Sequence, residues 1–85
     1  MEQHVIIGIH ITNRVKHVPE VQKVLTKFGC SIKTRLGLHE AGKDHCSPNG
    51  LVLIEFVGAA PEADEMMAAL DKIEGVETQK MVFGH

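Results

Sequence analysis

The chain has 85 residues, a length that leaves room for one compact core, so a single domain over residues 1–85 is expected, with no appended catalytic or DNA-binding unit. Nine basic residues against eleven acidic ones give a formal net charge of −2, and no Lys/Arg run is present, which excludes a field able to collect nucleic acid directly. Hydrophobic residues make up 44% and aromatics 4%, with neither Trp nor Tyr, so the core must be built from aliphatic layers of the kind that suit a half-buried sheet.

From Val5 to Ile11 every second residue is Val or Ile, and Ile6 on the opposite parity is apolar as well, the pattern of a central strand covered on at least one face. Thr12, Asn13 and Arg14 form a short polar break. Val18, Val21, Leu25 and Phe28 then recur at helical spacing, which predicts a helix over Val15–Phe28 with Pro19 near its first turn and Gly29 as its stop. Cys30 to Leu38 alternates strictly, with Cys30, Ile32, Thr34, Leu36 and Leu38 on one face, and reads as a second strand. His39 to Gly50 concentrates Gly, Asp, Ser, Pro and Asn and reads as a loop of about twelve residues. A third strand follows over Leu51–Val57. It is also the longest apolar stretch, and Glu55 interrupts it far short of the roughly 20 residues a membrane helix needs. With no basic-then-apolar leader at the start, the expected location is the cytosol.

Pro61 opens the next helix, Glu62, Asp64 and Glu65 sit near its start where the dipole favours them, and Ala63, Met66, Leu70 and Ile73 make its buried stripe. Gly75 closes it. The last strand, Val76–Phe83, sets Glu77, Gln79, Met81 and Phe83 opposite Val76, Thr78, Lys80 and Val82. The order strand, helix, strand, strand, helix, strand implies an α+β, ferredoxin-like βαββαβ sandwich, with an antiparallel sheet ordered 4-1-3-2 and both helices on one face. The first and third strands carry apolar residues on both parities: Ile6 beside Val5 and Ile7, Leu51 and Leu53 beside Val52 and Ile54. Helices on one face cannot bury both sets, so a homodimer or higher homo-oligomer formed through the sheet face or edge is expected.

The segment Thr34, Arg35, Leu36, Gly37, Leu38, the aliphatic strand after the loop, and the closing turn Gly75, Val76, Glu77 resemble the iron-only hydrogenase system regulators over essentially the whole chain. Those are small ACT-like domains, similar in topology to the C-terminal domain of the nickel-responsive repressor. The resemblance implies oligomeric ACT-type packing and sensing of a small molecule or metal at subunit interfaces. The repressor holds its metal with a His-x-His pair at the end of the second strand and a Cys shortly before the third. That pair is absent in this chain, whose strand ends Leu36, Gly37, Leu38, His39. His39, His45 and Cys46 occupy the corresponding region with a different spacing.

Two sets of residues carry candidate chemistry. His39, His45 and Cys46 put two imidazoles and a thiol within eight residues, a borderline-to-soft donor set suited to zinc, nickel, copper or iron, with His10 or a neighbouring subunit completing the shell. The plainer alternative is an exposed turn with solvated histidines. Thr12, Asn13 and Arg14 stand at the first strand–helix junction, where exposed amides attract a small anion that Arg14 and Arg35 would support; the alternative is Asn13 as a simple cap. Cys30 and Cys46 fall short of the dense framework of secreted domains, so reduced thiols are expected. Asp44, His45 and Cys46 are consecutive and form no catalytic relay, and no phosphate-binding glycine loop is present, so no enzyme is expected. The functional expectation is a homo-oligomeric cytosolic regulatory domain sensing a small effector, metabolite or metal ion, linked through the resemblance to iron-only hydrogenase systems. An adaptor acting through its sheet face, and a metal-responsive switch built on His39, His45 and Cys46, are the alternatives.

Overall fold

The computed structural model describes residues 4–12, 14–38 and 50–84. Its elements are β1 (His4–Ile11), α1 (Arg14–Lys27), a 3-10 turn (Gly29–Ser31), β2 (Ile32–Leu38), β3 (Gly50–Phe56), α2 (Ala60–Asp71) and β4 (Val76–Phe83). The strands form one sheet in the order β2-β3-β1-β4, with every neighbouring pair antiparallel. Read from the other edge this is the expected 4-1-3-2 order, and the two most apolar strands hold the centre.

Strand parity decides what goes where. Ile7, Ile9 and Ile11 of β1 and Ile54 and Phe56 of β3 are buried on one face, where they meet Val21 and Leu25 of α1 and Ala63, Met66 and Leu70 of α2. These are the helical stripes that the spacing predicts. Among the described residues no helix is long and apolar enough to cross a membrane.

Two local expectations are corrected. Pro19 is the sixth residue of α1, not part of its first turn, so its missing N–H deletes a hydrogen bond inside the helix. The helix continues because Val21 and Leu25, immediately beyond, are fixed in the core. The second strand begins at Ile32, and Cys30 lies instead in the 3-10 turn, where it is exposed with a free thiol. The strict alternation then breaks once. Ile32 pairs with Phe56 but Thr34 pairs with Glu55, so one residue, Lys33, is inserted as a bulge. Ile32 therefore shares the helix-covered face with Phe56, while Thr34 and Leu36 fall on the opposite face with Glu55 and Leu53.

The periphery is fastened by a few polar contacts. The Thr12 amide and hydroxyl both donate to the Gly75 carbonyl, at 2.8 and 3.0 Å, tying the exit of β1 to the turn before β4. Gly75 has φ 83°, a left-handed conformation that glycine adopts without the Cβ penalty. Asp71 Oδ1, at the end of α2, accepts from the Thr78 amide and hydroxyl at 3.0 and 2.9 Å and so covers an outward-facing N–H of the edge strand β4. The buried Ser31 hydroxyl donates to Glu62 Oε2 at 2.8 Å, and the Val57 amide donates to the Ser31 carbonyl at 2.7 Å. Gly58 lies within this knot: a Cβ there would come within 2.7 Å of Ser31 Oγ and 2.9 Å of Phe56 Cε2, and would also collide with Glu62 Oε1.

Two stability predictions follow from this packing. Gly58→Ala breaks the Ser31–Glu62 bond and displaces the Phe56 ring, lowering unfolding free energy by about 1–3 kcal/mol in urea titration. Leu70→Ala, at a fully buried site between α2 and the sheet, costs about 2–5 kcal/mol in the same measurement; a loss well under 1 kcal/mol would show that α2 is not seated as described.

Candidate functional site

The face of the sheet opposite the helices is the candidate site. Its rows follow from the register. His4 stands beside Phe83; Ile6 stands between Glu55 and Met81; Gly8 stands between Leu53 and Gln79; His10 stands between Leu51 and Glu77. Leu36 extends the Gly8 row onto β2, and Thr34 extends the Ile6 row. Among the described residues no element packs over this face. Leu36, Met81 and Phe83 each leave about half their surface exposed and Leu51 about a third, a concentration of bare apolar surface on one face; Val57 and Val82 are the other exposed large apolar side chains among the described residues.

The charges on this face come as imidazole and carboxylate neighbours. His4 Nδ1 lies 3.5 Å from Glu55 Oε2, and His10 is the direct cross-strand partner of Glu77. Lys and Arg are kept off the Gly8 and His10 rows. Lys80 falls in the Ile7 row on the helix side and holds Asp64 of α2 at 2.9 Å, while Arg35 pairs with Ile54 on that same side. A depression of about 290 Å³ opens beside Gly8, lined by His10, Leu51, Glu77 and Gln79.

The residues singled out from sequence are distributed differently. His10 stands on the open face, as its parity predicts. Thr12 has its amide and hydroxyl committed to the Gly75 carbonyl. Arg14 is the first residue of α1, and Asn13, with the cap expected of it, lies outside the described residues. Arg35 is not brought to that junction: it lies two strands and five rows from Thr12, roughly 15–20 Å by strand spacing. His39, His45 and Cys46 lie outside the described residues. Among the described residues no group of three or more His, Cys, Asp or Glu side chains is placed to hold a metal ion.

No sequence pattern groups Gly8, Leu51, Glu77 and Gln79. Periodicity assigns each to its strand, and the alternation of β4 puts Glu77 and Gln79 on one side. Their meeting with His10 depends on the β1–β4 register, which joins residues about seventy positions apart and leaves no local trace.

No family model matches the chain, and no curated protein sequence matches it. Solved structures do. The uncharacterized protein TM1266 from Thermotoga maritima is 18% identical, with a TM-score of 0.83 over 98% of this chain and 100% of that one. CPII, a nitrogen regulatory PII-like protein from Thiomonas intermedia K12, is 10% identical, with a TM-score of 0.61 over 99% of this chain and 96% of that one. The de novo designed protein Foldit4 is 11% identical, with a TM-score of 0.57 over 99% of both chains. At these identities the likeness is one of fold: the chain is a ferredoxin-like βαββαβ domain.

Proposed function

We propose that this chain is a homo-oligomeric regulatory domain that responds to a small effector, binding what it senses without transforming it. The observation that carries this reading is the open sheet face, where half-exposed Leu36, Met81 and Phe83 share one surface with a hollow that has a polar wall. Apolar side chains of this size favour a covering partner, and a polar-walled hollow beside them gives a ligand somewhere to act on the assembly. The PII-like neighbour supports the reading by analogy of fold, since that protein was solved with ADP, AMP and bicarbonate. A link to iron-only hydrogenase systems rests on the resemblance carried by residues 34–38 and 75–77.

Two measurements test the proposal. Light scattering at micromolar concentration gives a mass of two or more chains, and Met81→Glu reduces it to one while circular dichroism retains the fold; a monomeric wild-type chain overturns the oligomer. A melting series with metabolites and transition metals finds a stabilising ligand, because binding to the native state alone adds about 2.7 kcal/mol at a hundredfold excess over Kd. A chain whose melting responds only to a protein partner is an adaptor instead.

A further inference from the structure

We infer that the hollow at Gly8 is the effector's seat and that it takes a small planar cation of the amidinium or guanidinium class. This rests on the reading of the chain as an effector-responsive domain and names the ligand chemistry.

The first argument is the glycine itself. A Cβ on Gly8 would meet Leu53 Cδ2 at 3.7 Å and the Gln79 carbonyl oxygen at 4.0 Å, both ordinary contacts, and its φ is not left-handed. Neither crowding nor backbone conformation requires glycine at this position. Glycine inside a central strand weakens it, and one that the fold does not need marks a place where something else approaches the backbone closely. The missing side chain leaves the backbone bare between Leu53 and Gln79, where a planar group can lie against it.

The second argument is the chemistry of the walls. At about 290 Å³ the hollow is at the small end of ligand sites, enough for a single-ring molecule. Its polar groups are the Glu77 carboxylate, the Gln79 amide and the His10 imidazole, and Leu51 supplies an apolar side. Among the described residues none of these three polar side chains is engaged in a hydrogen bond or ion pair. The rows around them hold no Lys or Arg, because Lys80 and Arg35 fall on the helix side. An anionic ligand would find no lysine or arginine there and would face Glu77. A planar cation with two parallel N–H donors matches the two carboxylate oxygens, leaves a further N–H for the Gln79 carbonyl, and lays its flat face over Gly8 against Leu51.

The test compares two probes of the same shape and opposite charge. Benzamidine and benzoate are titrated into the full chain, followed by amide chemical shifts and by melting temperature. Benzamidine is expected to bind one per chain, at least about tenfold tighter than benzoate, and to shift the amides of Gly8, His10 and Gln79. Glu77→Gln, isosteric and exposed, is expected to weaken benzamidine by about tenfold or more, and Gly8→Val to abolish the site by filling its floor, with Gly8→Ala as the milder variant if valine disturbs folding. Equal binding of benzoate, indifference to Glu77→Gln, or Zn²⁺ binding that depends on His10 with no benzamidine binding overturns the inference. If a metabolite from the melting series binds without sensitivity to Glu77, the inference falls and the effector reading stands; if neither charge class and no metabolite raises the melting temperature, both fall.

Discussion

The structure turns on the two-sidedness of β1. A central strand sends alternate side chains to opposite faces, and in this chain the helices cover only one of them. Ile7, Ile9 and Ile11 enter the core with Ile54, Phe56, Met66 and Leu70, and this largely aliphatic layer, with Phe56 and Phe28 as its aromatic members, holds both helices to the sheet without any Trp or Tyr. The other parity, His4, Ile6, Gly8 and His10, belongs to no core in a single chain. Its composition is neither that of a solvated face, which would carry lysines, nor that of a second core, which would exclude imidazoles and carboxylates.

Around that strand the polar contacts act at the ends of elements. Thr12 binds the Gly75 carbonyl, Asp71 holds the start of β4, and Ser31 joins the approach to β2 with the first turn of α2 through Glu62. Each satisfies a group that the regular hydrogen-bond ladders leave over, and each joins segments distant in sequence. They fix where the strands begin relative to one another, and so they stabilise the register that sets Glu77 beside His10 and Gln79 beside Gly8. The candidate site is a consequence of that register, since no local segment contains it.

The same fold is shared by a nitrogen regulatory PII-like protein and by a designed protein, at 10% and 11% identity. A pattern of apolar residues with the right periods is therefore enough to specify the architecture, whatever the surface does. The open face of this chain is free of Lys and Arg along the Gly8 and His10 rows, apolar at Leu36, Met81 and Phe83, and hollowed at a glycine the backbone does not require.

Periodicity alone determined the element types, their order and the buried stripes, because burial of one face imposes a repeat of two on a strand and of about 3.6 on a helix. It also showed that the first and third strands carry more apolar surface than one helical layer can cover. It could not place the bulge at Lys33, since an inserted residue costs the alternation only one step and the pairing partner reveals it. It could not show that Pro19 lies in the second turn of α1, which depends on where the helix starts. Chemistry groups Arg35 with Thr12 and Arg14, and tertiary structure separates them by putting β3 between β2 and β1 and five rows along the strands. Periodicity read His10 and Glu77 correctly as strand residues on given parities, but their adjacency, and with it the hollow at Gly8, was decided only when β4 paired with β1, because contact across a sheet is set by register between distant segments.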